Sequence, residues 1–210
     1  MKSEEKIRVL IADDHYIVRM GLIAVVNSEP DMEVVAEADN GDQAFELYGK
    51  HKPDVALLDS RMPGKSGVQT AAEIKNKFPS ARILILSAFD GVDDIHKAFQ
   101  AGALGYVLKK KPSGERLIRA LRAVAAGQRW IPDEVSSRLA ARKPSEDLTP
   151  REIHILNEIA KGLTNKEIAD VLGIAEYTVK DHLKHILAKL HAADRTEAVT
   201  VAIQRGAIHL

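Results

Sequence analysis

The feature that most constrains this chain is a change of grammar part-way along it. Up to about residue 126, short β-branched and aliphatic runs alternate with segments whose apolar residues recur at helical spacing. Beyond residue 147 only the helical spacing remains. Alternation of the first kind requires a parallel sheet flanked by helices, because parallel neighbours need a long crossover and the intervening segments supply one. The predicted strands are Ile7–Ala12, Met32–Ala38, Val55–Leu58, Ile83–Ser87 and Gly105–Leu108. The third and fourth are almost continuously apolar, as strands covered on both faces must be. Val18, Leu22, Val25 and Val26 form one helical stripe between strands, and Ile118, Leu121 and Ala125 form another.

The 210 residues suffice for two cores, since domains of roughly 100 to 150 residues are usual. The reading gives a first domain at 1–126, a partly helical linker at 127–146 with its helix near 133–142, and an all-helical domain at 147–210. The linker span carries Pro132, Pro144 and two adjacent serines. In the last domain the caps are legible. Thr149-Pro150-Arg151-Glu152 is a capping box with proline at the first helical position, opening a helix with Ile153, Leu156, Ile159 and Ala160 on one face. Thr164 to Glu167 repeats the box and starts a short helix that stops at Gly173. Glu176 to Leu190 follows, burying Val179, Leu183, Ile186, Leu187 and Leu190, and Asp194 caps a fourth helix closed by Gly206. Two short helices joined by a tight glycine-containing turn are the helix-turn-helix pattern.

Composition excludes several functions. The chain has no cysteine, so disulfides, thiolate metal sites and thiol nucleophiles are ruled out. No apolar run approaches the roughly 20 residues of a membrane helix. The polar start leads straight into a strand without a secretory pattern, so a cytoplasmic location is expected. Thirty basic residues balance thirty acidic ones, so any nucleic-acid binding must come from local geometry.

Asp13 and Asp14 follow the first predicted strand, Asp59 the third, while Ser87 and Lys109 end the fourth and fifth. In an open parallel sheet these carboxyl ends meet along one edge, where ligands bind. Three carboxylates there call for a cation, and an oxygen-only set suits Mg²⁺. A carboxylate nucleophile, a metal, a hydroxyl and an ammonium together suffice for phosphoryl transfer. Taken singly, each residue is an ordinary turn former or surface charge; the joint placement at the strand ends carries the inference.

The segments LIADDHYIVRMGL, DVALLDSRMPGKSG, ILILSAFD and AGALGYVLKK resemble the receiver domain of bacterial two-component response regulators, over residues 6 to about 126. The resemblance implies a flavodoxin-like, doubly wound five-stranded parallel sheet. It further implies Asp59 as phospho-acceptor and Asp13, Asp14, Asp59 and the Arg61 backbone carbonyl as Mg²⁺ ligands. Ser87 and Lys109 would contact the phosphoryl group, with Tyr106 as the ring that moves with the switch. Ser87 stands where threonine is commoner, and Lys110 and Lys111 where an acidic or small residue is common. The segment LTPREIHILNEIAKGLTNKEIADVLGIAEYTVKDHLKHILAKL is similar to the LuxR-type helix-turn-helix of the NarL/FixJ class. By that resemblance Lys180, Asp181 and Lys184 face the DNA groove, and Thr178 and Lys166 contact its backbone. Ala175 replaces the usual serine or threonine cap, and Asp181 points a negative charge at the groove.

The expected protein is thus not an enzyme but a phosphorylation-switched transcription factor. A sensor histidine kinase and double-stranded DNA are its partners, and a homodimer forms through the fourth helix of the last domain when phosphorylated or DNA-bound. A hydrolase with an aspartyl-phosphate intermediate is the enzymatic alternative; such enzymes keep the nucleophile on the first strand in a pair of aspartates spaced by one residue, whereas Asp13 and Asp14 are adjacent. A constitutive DNA binder with an unphosphorylated scaffold domain is the third reading.

Overall fold

The computed structural model describes residues 6–109, 114–131, 136 and 147–209. The chain divides into two compact units, the first comprising 1–89 and 95–136 and the second 137–210 together with the short segment 90–94. Most of the helical linker expected near 133–142 lies outside the described residues, as do Lys110 and Lys111.

In the first unit the strands are β1 (Ile7–Ala12), β2 (Met32–Ala38), β3 (Val55–Asp59), β4 (Ile83–Ser87) and β5 (Gly105–Leu108). The helices are α1 (Tyr16–Asn27), α2 (Gly41–His51), α3 (Gly67–Lys77), α4 (Val92–Gln100) and α5 (Gly114–Ala125). All pairings are parallel in the order β2-β1-β3-β4-β5, so the chain runs outward one way, then reverses from β1 across to β3. That reversal opens a crevice at the carboxyl ends of β1 and β3. β3 and β4 are buried throughout, which explains their unbroken apolar sequence. β3 runs one residue further than the apolar run suggests, because Asp59 stays in register opposite Leu86 and the next amide, Ser60 N, donates to the Leu86 carbonyl at 2.8 Å. The core joins Val9, Ile11, Leu57, Leu84 and Leu86 of the sheet to Ile118, Leu121 and Val124 of α5. Of the stripe expected on α1, only Val26 is fully buried; Val18 is exposed.

The sheet edge continues past α5. Trp130 lies parallel to Gly105, its amide donating to the Leu104 carbonyl at 3.0 Å while the Tyr106 amide donates to the Trp130 carbonyl at 3.0 Å. No alternating pattern marks this single bridge in the sequence.

The second unit contains α6 (Pro150–Ala160), α7 (Asn165–Leu172), α8 (Glu176–Leu190) and α9 (Arg195–Arg205) among the described residues. Both capping boxes close as expected, with Thr149 and Thr164 each accepting from the amide three residues on. Ala175 offers α8 no side-chain cap. Leu156, Ile159, Ile168, Val179, Ile186, Leu190, Ala198 and Ala202 form one core. On α6 the buried apolar residues are Ile155, Leu156 and Ile159, while Ile153 and Ala160 are only partly covered. Glu152 is also buried there, and Lys189 of α8 pairs with it at 2.7 Å. Among the described residues no helix is long and apolar enough to cross a membrane.

Candidate functional site

The carboxyl ends of β1, β3, β4 and β5 bring Asp13, Asp59, Ser87 and Lys109 together, because the parallel register carries the chemistry-bearing residue of each strand to one edge. Asp13 is fully buried, and Asp59 nearly so. The Lys109 Nζ donates to Asp13 Oδ2 at 2.7 Å and to Asp59 Oδ2 at 2.8 Å. Burial pushes the Asp59 carboxyl above its ordinary value, and the Lys109 hydrogen bond only partly offsets it. Burial also pulls Lys109 down, but the hydrogen bonds and charges of Asp13 and Asp59 outweigh it and leave the ammonium firmly protonated. Asp13, Asp14, His15 and Asp59 each present a donor atom within 4.8 Å of the others. A cleft of about 420 Å³ opens above Asp59 between Asp14, Val18, Arg61 and Phe89.

Around this cluster runs a hydrogen-bonded chain. Ser60 Oγ donates to Ser87 Oγ at 2.8 Å, and the Phe89 amide donates to the same Ser87 oxygen at 3.1 Å. The Tyr106 hydroxyl donates to the Phe89 carbonyl at 2.8 Å, with the Tyr106 ring buried. The Arg61 guanidinium stacks over the Phe89 ring at 4.0 Å. The Arg61 amide reaches Asp59 Oδ1 at 3.5 Å, at the limit of a hydrogen bond. Gly67, at the start of α3, lies so close that a Cβ there would overlap the Asp59 carbonyl. Serine and arginine neighbours of an aspartate carry no pattern of their own, so Ser60, His15 and Phe89 are visible as site residues only in three dimensions.

In the second unit α8 exposes Tyr177, Lys180, Asp181, Lys184 and His185, while Thr178 is half-covered. Lys180 Nζ pairs with Glu176 Oε1 at 2.8 Å, which holds the Glu176 carboxyl below its ordinary range. Lys166 projects from the first turn of α7 and is exposed.

Residues 9–122 match the family described as the response regulator receiver domain, and residues 146–202 match the bacterial regulatory proteins of the luxR family. The chain belongs to the two-component response regulators. Within them it has the composite layout of a receiver and a LuxR-type DNA-binding domain, and the family regulates transcription rather than catalysing a metabolic reaction. The transcriptional regulatory protein LiaR of Bacillus subtilis is 39% identical, over 93% of this chain and 96% of the relative. The nitrate/nitrite response regulator NarL of Escherichia coli strain K12 is 39% identical, over 94% of this chain and 95% of its own. Among solved structures, the response regulator ChrA of a heme-sensing two-component system is 40% identical, covers 97% of this chain and 99% of its own, and superposes with a TM-score of 0.56. The response regulator RcsB in complex with DNA is 26% identical, covers 95% of this chain and 99% of its own, and superposes with a TM-score of 0.69. As a response regulator, the chain carries its acidic pocket at the topological switch point of the sheet and its helix-turn-helix in α7 and α8.

Proposed function

We propose that this response regulator, acting in the cytoplasm, takes a phosphoryl group from a sensor histidine kinase on Asp59 and, so modified, binds double-stranded DNA as a homodimer. The observation that carries the reading is the three-way juxtaposition of Asp59, Asp13 and the bridging Lys109 ammonium beneath an open cleft. Asp59 Oδ1, the oxygen not held by Lys109, attacks phosphorus; the bond from phosphorus to the kinase histidine nitrogen breaks, and the electron pair leaves with that nitrogen. Lys109 then holds one phosphoryl oxygen, and Ser87 supplies a hydroxyl donor at the other side.

The donors fit Mg²⁺: carboxylates of Asp13, Asp14 and Asp59 and the Arg61 carbonyl are hard oxygen ligands, and one ammonium leaves the cluster net negative. Bound there, the ion would neutralise charge on the transferring oxygens. Kinase docking is supported by α1, whose first turns expose Tyr16, Ile17, Val18 and Met20, with Val18 lining the cleft; Ile17 is 79% exposed. Tyr106, through its hydrogen bond to the Phe89 carbonyl next to Ser87, is the ring placed to move when Ser87 turns to the phosphoryl group. On the DNA side Lys180, Asp181 and Lys184 read bases while Lys166 and Thr178 hold the backbone, with α9 (Arg195–Arg205) as the dimer contact. The corresponding organisation is receiver at 1–126, linker at 127–146 and DNA-binding domain at 147–210.

Intact mass after incubation with a small phosphodonor and Mg²⁺ tests the acceptor. The wild type should gain one hydroxylamine-labile phosphoryl group and Asp59→Asn none; labelling of both, or of neither under conditions that label another receiver, overturns the reading.

A further inference from the structure

We propose that Tyr177 is a base-reading side chain whose ring packs against the C5-methyl group of a thymine in the major groove, an inference that rests on α8 being the DNA-reading helix. A single exposed apolar side chain is ordinary on a protein surface, so the place of this one on the helix carries the argument. In the second unit the exposed large hydrophobic side chains among the described residues are Val171 and Tyr177, and Tyr177 is 77% exposed. Its place in α8 is specific. Tyr177, Lys180, Asp181 and Lys184 stand at i, i+3, i+4 and i+7, a single stripe of a helix. The buried residues Val179, Ile186 and Leu190 lie on the opposite side and fix that stripe outward against the core.

Tyr177 is the second residue of the helix, and the N-terminal turn of a recognition helix is the part that reaches base edges. The neighbouring positions divide the chemistry. Lys180 and Lys184 offer donors, which suit guanine, and Asp181 offers an acceptor, which suits the cytosine amino group. None of these recognises the one apolar feature of the groove, the thymine methyl. Tyr177 supplies the missing apolar surface on a ring with few rotatable bonds, so ordering it costs little entropy. Between residues 147 and 210 the basic residues are no more numerous than the acidic ones, so discrimination by directed contacts has to make up what bulk charge does not provide.

The test is selection of sites from a random duplex library by the full-length protein, followed by replacement of each selected thymine with uracil, which removes only the methyl. The wild type should lose about fourfold in affinity at one thymine per half-site, the effect of one buried methyl group. Tyr177→Ala should bind the thymine and uracil sites equally, and Tyr177→Phe should keep the wild-type preference. A uracil effect that survives in Tyr177→Ala overturns the proposal. So does equal loss in Tyr177→Phe and Tyr177→Ala, which would mark a hydroxyl contact to phosphate. If the wild type selects no site, with or without phosphodonor, α8 is not a DNA reader and the proposal falls with it. A selected site abolished by Lys184→Ala but indifferent to Tyr177→Ala rejects the Tyr177 assignment alone.

Discussion

Asp59 combines two demands that ordinarily conflict, since a nucleophilic carboxylate must be ionised and this one is buried. Burial raises its pKa, so at neutral pH its charge works against folding, and the burden is relieved as pH falls through the folded-state value. Asp59→Asn is therefore expected to raise the melting temperature at pH 7 in the absence of divalent cations, with the gain shrinking on acidification; calorimetry across pH measures it. Gly67 tolerates no side chain because the Asp59 carbonyl occupies the space of a Cβ. Gly67→Ala should cost about 1–3 kcal/mol by overpacking and, by displacing Asp59, slow phosphorylation more than a destabilised but intact site would; denaturant melts alongside labelling rates separate the two.

At the scale of elements, the helices of the second unit differ in how well they are finished. α6 and α7 carry complete capping boxes, whereas α8 starts at Ala175 in an extended conformation with no side-chain acceptor. Ala175→Ser is expected to stabilise this domain by about 0.5–1 kcal/mol, read as a shift in its urea midpoint. α6 is tied to α8 by Glu152, which sits at the N3 position of its own box and accepts from Lys189 at 2.7 Å. Burial alone would raise the Glu152 pKa, but the Lys189 and Thr149 hydrogen bonds bring it below the ordinary 4.5. A lowered carboxylate contributes stability above its unfolded value and loses it as pH falls through the folded one. The wild-type domain should thus lose more stability below pH 4.5 than Glu152→Gln, and parallel acid titrations of both would reject the link if the curves coincide.

For the molecule as a whole, equal numbers of acidic and basic residues mean that DNA affinity comes from a few placed cations rather than a general field. If Lys166 of each protomer in a dimer neutralises a backbone phosphate, log K against log salt should fall with a slope of at least roughly −2, and Lys166→Ala in both protomers should flatten it by about 2. A slope near zero would exclude this interface. Chelation of divalent cations with EDTA should stop phosphoryl labelling, and added Mg²⁺ should restore it; labelling that persists in EDTA would remove the metal from the proposal.

The sequence by itself determined the two-part organisation, because the periods of 2 and 3.6 and the capping boxes are local and leave their mark residue by residue. It determined the five strands almost to the residue, and it marked Asp13, Asp14, Asp59, Ser87 and Lys109 as strand-end residues, since a parallel sheet must gather its carboxyl ends on one edge. Tertiary structure alone decided which groups touch. The Lys109 bridge between Asp13 and Asp59, the bonds from Ser60 to Ser87 and from Tyr106 to Phe89, and the Glu152–Lys189 pair all join residues far apart in sequence. It also decided that Val18 faces the cleft instead of the core and that Trp130 extends the sheet. Periodicity tells which face of an element is apolar, but a contact depends on distances between elements, and those are set only when the core packs.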